Sequence, residues 1–85
     1  MRTQNEELTY CLMNLLHVFA TNLKCYRNEK GLSQREFADL AGLHRTYISA
    51  VERERRSIAL DNIEKIASAL NIEAYLLFVD HESDS

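Results

Sequence analysis

The chain has 85 residues, 46% of them hydrophobic and 27% charged, which fits one small globular domain rather than two and excludes a disordered chain. It has no proline and only two glycines, Gly31 and Gly42, which excludes collagen-like and low-complexity sequence and disfavours a turn-rich all-β fold. The net charge is −3, yet its distribution is uneven: Lys24 to Arg56 holds eight basic and five acidic residues, against two basic and eight acidic elsewhere. Screening over about 8–10 Å makes such a field local, so the acidic total does not exclude a nucleic-acid partner.

Two cysteines, Cys11 and Cys25, are too few for a disulfide framework. No zinc-ligand spacing appears, and His17, His44 and His81 do not cluster, so no metal site or cofactor is expected. The apolar run from Leu8 to Ala20 follows Glu6 and Glu7 rather than a basic stretch and lacks a small-residue cleavage site, so it does not read as a signal peptide. It is also too short to span a bilayer, and a cytoplasmic protein without membrane contact is expected.

The first helical signal is a face made by Leu12, Leu15, Leu16, Phe19, Leu23 and Tyr26 at three- and four-residue steps. Met1 to Glu7 reads as a polar, frayed end. Tyr10 and Tyr26 read as packing residues and His17 as a satisfied structural histidine. Gly31 suits the left-handed position after this helix. Ser33 and Glu36 then form an S-x-x-E capping box, with Leu32 and Phe37 at the positions of a hydrophobic staple. The spacing predicts a helix over 34–41, closed by Gly42, with Phe37 and Leu40 inward.

Only Leu43 and His44 separate this helix from the next, which turns Ile48 and Val51 inward and Arg45, Thr46, Ser49 and Arg53 outward. Arg55, Arg56 and Ser57 break the pattern. A fourth helix carries Leu60, Ile63, Ile66, Ala67 and Leu70, with Asp61 and Glu64 complementing its dipole and Asn71 capping its end. Residues 72–79, IEAYLLFV, form a fifth, very apolar element, and His81 to Ser85 is a polar tail.

Two short helices joined by a tight glycine-containing turn make a helix-turn-helix over about residues 33–54. Ala38 must be small where the two helix axes approach, and Gly42 must take positive φ. On charge alone, Arg45 and Arg53 would be ordinary solvated surface; the helix-turn-helix context is what makes them candidates for nucleic acid. Glu52, among these arginines, reads as orienting Arg45 or Arg56, or as pairing locally. No catalytic triad, acid/base carboxylate pair or phosphate loop is present, so no enzyme is expected.

The pieces LSQREFADLAGL, RTYISAVERERRS and LDNIEKIASALNI resemble the Cro/C1-type helix-turn-helix domain of phage repressors and their bacterial relatives. LHRTYISAVER is especially similar to the controller proteins of restriction–modification systems. The resemblance implies an all-α fold, a compact five-helix, lambda-repressor-like bundle in a single domain over 1–85, which binds double-stranded DNA as a two-fold dimer. It further implies base contacts from Arg45, Thr46, Ser49 and Ala50. A guanidinium at Arg45 can bond guanine O6 and N7 together, and Thr46 and Ala50 suit a thymine methyl. Gln34, Tyr47 and Arg53 match positions that approach the phosphates, and Arg35 and His44 are added as further backbone candidates.

Three departures from the family pattern stand out. Glu54-Arg55-Arg56 occupies a loop that usually holds Gly or Asn. Ile58-Ala59 replaces the usual Pro-Ser or Pro-Thr before the fourth helix, leaving a weak N-cap. His44 stands where Ser or Asp is common.

Tyr75, Leu76, Leu77, Phe78 and Val79 are more large apolar side chains than a small bundle absorbs. They are expected to form the dimer interface, holding two recognition helices about 34 Å apart; plugging the bottom of the bundle is the alternative. The function expected is a transcriptional regulator on a palindromic operator, a restriction–modification controller first and a phage-type repressor or antitoxin-type regulator second. RNA polymerase is a further candidate partner. A protein-interaction adaptor on the same fold is the competing class, separable by its weak salt dependence.

Overall fold

The computed structural model describes the backbone of residues 4–80 and the side chains of residues 15–80. Four α-helices lie among them, α1 (Gln4–Glu29), α2 (Gln34–Ala41), α3 (Arg45–Glu52) and α4 (Leu60–Leu70), followed by a short 3-10 segment, Ala74–Phe78. The architecture is all-α, but the fifth helix of the sequence reading is a five-residue 3-10 segment. Helix α1 also begins earlier than expected, taking in Gln4 to Glu7. The readings of Tyr10, Cys11, Leu12 and the His81–Ser85 tail fall outside the described side chains.

Each helix has a local reason to stop where it does. All four end in a residue with positive φ: Gly31 (69°), Gly42 (73°), Glu54 (59°) and Asn71 (58°). At Gly42 an added Cβ would meet no atom within 4 Å, so glycine is there for its backbone freedom and not for space. At the other ends, Ser33 caps α2 through both bonds of the capping box, whereas His44 and Ala59 make no side-chain cap bond to α3 or α4.

The core is one cluster in which Phe19, Leu23, Phe37, Ile48, Val51, Ile66, Leu70 and Leu77 are fully buried. Helix α2 packs on α3 and α4, α3 also packs on α1, and the 3-10 segment closes the bundle against α1 and α4. Ala38 is buried between α2 and its neighbours, as the turn requires. Leu40, expected inside, is 62% exposed. The buried stripe of α2 is Phe37, Ala38 and Ala41, and at 100° per residue Leu40 lies roughly 100° from its centre. Leu60, the first residue of α4, and Leu15 on α1 are likewise exposed.

The last segment is held by a buried side chain. Asn22 of α1 donates from Nδ2 to the carbonyls of Leu77 (2.9 Å) and Val79 (2.8 Å). An amide from across the bundle thus fastens the end of the 3-10 segment to α1. The same clamp sends Leu77 into the core and sets Phe78 against Phe19, ring centroids 5.3 Å apart. Leu77 is thus removed from the expected dimer face and fits the plugging alternative, whereas Phe78 is only half-buried. Tyr75 is exposed, and Leu76 and Val79 are half-buried.

Candidate nucleic-acid interface

The placement of α3 begins at the capping box. Ser33 Oγ accepts from the Glu36 N–H at 3.0 Å, and the Ser33 N–H donates to Glu36 Oε1 at 2.9 Å. The Ser33 N–H, and after it the Ser33 hydroxyl, favour the charged Glu36 carboxylate and hold it below the usual glutamate range. Gly42 then reverses the chain, and the Leu43 N–H returns to the Ala38 carbonyl at 2.9 Å. Helix α3 starts at Arg45, within two residues of that bond.

With Ile48 and Val51 fully buried, the opposite face of α3 points outward. Arg45, Thr46 and Arg53 are exposed, and Ser49 and Ala50 are half-exposed. Together with Arg55 they line one shallow recess. Its lining holds three guanidinium groups and no carboxylate, so its local potential is positive although the chain is acidic overall. The expected base-contact residues thus share one surface. Arg35 and His44 are exposed as well.

Gln34 is placed differently from a free surface amide. It is half-buried, and its Nε2 donates to Glu52 Oε1 at 3.0 Å. Glu52 in turn receives two bonds from Arg27 of α1, Nε at 2.7 Å and Nη2 at 3.0 Å, while Arg27 Nη1 donates to the Leu32 carbonyl at 2.7 Å. The Glu52 side chain is only 2% exposed. It therefore orients neither Arg45 nor Arg56; it ties α1, the start of α2 and the end of α3 together. Arg27 was not singled out from the sequence. The inward position of Glu52 was legible, because at 100° per residue it falls only about 40° from Ile48. An amide nitrogen carries two hydrogens, so Gln34 keeps one for a ligand after bonding Glu52.

Tyr47 is half-buried and has structural partners. Its hydroxyl accepts from the Ala59 N–H at 3.3 Å, and the Arg56 guanidinium lies over its ring, 5.0 Å from the centroid. This draws Arg56 towards the loop before α4. His17, expected to be a satisfied structural histidine, has such a partner, its half-exposed ring placing Nδ1 2.9 Å from Glu54 Oε2. It joins α1 to the turn after α3.

Among the described residues no group of three or more His, Cys, Asp or Glu side chains is placed to hold a metal ion. Nor is any helix among them long and apolar enough to cross a membrane. The helix-turn-helix family profile matches residues 23–77. The chain is similar to a Neisseria hypothetical transcription factor from Neisseria meningitidis, 53% identical over 66 residues, which cover 78% of this chain and 62% of that protein. It is also similar to the control protein C.SmaI of Serratia marcescens, 44% identical over 61 residues, covering 72% of this chain and 73% of the relative. Among solved structures, the restriction–modification controller protein C.AhdI of Aeromonas hydrophila superposes with a TM-score of 0.72 at 48% identity, covering 74% of this chain and 96% of that one.

Proposed function

The chain belongs to the helix-turn-helix family, and from that premise we propose that it is a sequence-specific DNA-binding transcriptional regulator, a restriction–modification controller acting on a palindromic operator at its own promoter. The observation that carries this reading is the outward face of α3, where Arg45, Thr46, Ser49 and Ala50 line a positive recess free of carboxylates. Arg45 reads guanine through O6 and N7, Ser49 bonds a base edge, and Thr46 and Ala50 meet thymine methyl groups. Gln34, Arg35, His44, Tyr47 and Arg53 take the flanking phosphates and set the register of α3 in the major groove.

The protein acts in the cytoplasm as a homodimer, joined through Tyr75, Leu76, Phe78 and Val79. Two copies related by a two-fold axis present their recognition helices to successive major grooves about 34 Å apart. RNA polymerase is the further partner this reading allows, once the dimer stands at a promoter. The chemistry is binding rather than catalysis.

The test is quantitative binding to DNA from upstream of the protein's own gene, with random duplex as competitor. A protein neutralising roughly 6–10 phosphates loses about 10³–10⁵ in affinity between 50 and 200 mM salt. Protection of a palindromic site with that salt response is expected. Absence of a protected site, or binding indifferent to salt, would overturn the proposal.

A further inference from the structure

All four helices end in the same hydrogen-bond arrangement. A residue of positive φ is followed by one whose N–H reaches back to the carbonyl five residues earlier, in the last turn of the helix: Leu32 to Arg27, Leu43 to Ala38, Arg55 to Ala50, and Ile72 to Ala67. In this motif the residue making the long bond packs against the turn it closes, and it is usually apolar. Three of the four obey that rule, since Leu32, Leu43 and Ile72 all pack on the core. The fourth, after α3, carries Arg55, which is exposed.

The same end breaks a second local rule. Its positive-φ residue is Glu54 rather than Gly or Asn, a conformation that a side chain with a Cβ adopts with strain. Glu54 is tied to α1 through His17, 2.9 Å away, so its carboxylate is engaged beside the turn. The outcome is that Arg55 folds back over Ala50 and joins Arg45 and Ser49 along one recess. A helix end that departs from local preference in two adjacent residues, and places a cation on the recognition face, marks a functional position.

We propose that Arg55 is a DNA phosphate anchor, turned onto the face of α3 by the positive φ of residue 54. This rests on the DNA-binding reading above. Arg55 stands at the C-terminal end of α3, while Arg45 opens its N-terminal end. Guanidinium groups at the two ends of an eight-residue helix, about 12 Å long, brace it in the groove: Arg45 reads a base, and Arg55 holds the backbone and sets the depth of α3. Arg56, drawn over Tyr47, does not share this surface.

The experiment measures Kd against salt for the full chain and for R55L, R55K and E54G, on operator and on random duplex. Leucine restores the apolar residue found at the other three ends, so R55L folds at least as well as the parent. Its log Kd–log salt slope should be shallower by about 0.9 on both DNAs, the signature of one lost phosphate contact. R55K and E54G should keep the parental slope, the first by retaining the charge and the second by taking the same φ. An unchanged slope in R55L, or an altered preference at one base pair with the slope intact, overturns the assignment. A parent chain that binds neither DNA overturns the DNA-binding reading as well, and the parental titration alone distinguishes that case.

Discussion

The guanidinium of Arg27 grips both carboxylate oxygens of Glu52, 25 residues further along the chain, at 2.7 and 3.0 Å. Both side chains are almost sealed from water, 9% and 2% exposed. An ion pair this buried resists the removal of one partner, because the survivor is left as an uncompensated charge. E52A should therefore destabilise the protein by about 3–5 kcal/mol, read as a lowered urea midpoint. Replacing both groups with apolar residues of similar volume, R27M with E52L, should be far milder, yet it strips Gln34 of its acceptor. That double variant should fold and bind operator and random DNA more weakly by the same factor.

Arg45 and Gln34 differ in kind, and their variants should separate. R45A should relax preference at one base pair in each half-site, a loss of about 1–3 kcal/mol of discrimination. Q34A should weaken all sequences alike and leave discrimination intact, because the phosphate contact proposed for it carries no sequence information. Competition binding against single-base operator variants measures both. Equal loss on operator and random DNA for R45A would contradict its base contact.

Acid should weaken the start of α2. The capping bonds hold Glu36 below its ordinary value of 4.5 in the folded chain. A carboxyl depressed by folding contributes stability that is fully present above the unfolded value and lost as pH falls through the lower folded one. The stability difference between the parent and E36Q should therefore be greatest near neutral pH. It should shrink as pH drops below 4.5, which denaturant melts at several pH values would show. S33A, which removes the hydroxyl cap itself, should cost about 1 kcal/mol at neutral pH.

Asn22 should control the C-terminal segment. N22A deprives the Leu77 and Val79 carbonyls of their donor. The cost expected for such buried groups is about 1–3 kcal/mol. Amide exchange across 74–79 should accelerate more than exchange in α2. The proposed dimer should also weaken, because Tyr75, Leu76, Phe78 and Val79, the interface proposed for it, would no longer be held in register. Sedimentation equilibrium at graded concentrations tests the second effect.

The central two helices were legible from residue types alone because their limits are set by neighbours in sequence. A serine three residues before a glutamate closes the start of α2, and a glycine that tolerates positive φ closes its end. Neither needs the rest of the bundle, so α2 and α3 stand where local chemistry puts them, and their 3.6-residue period determines that Ile48 and Val51 face inward while Arg45 and Ser49 face out. The fate of Leu40 was harder to read, because a stripe only three residues wide leaves its neighbours undecided until α4 is in place. Only the tertiary structure decided that Glu52 serves Arg27 and Gln34, that Asn22 fastens the end of the 74–78 segment, and that Leu77 lies inside rather than on the surface. Those outcomes depend on partners 18 to 57 residues apart. Spacing along a chain cannot reveal such pairs, because they arise only when burial forces each polar group to find a partner within reach.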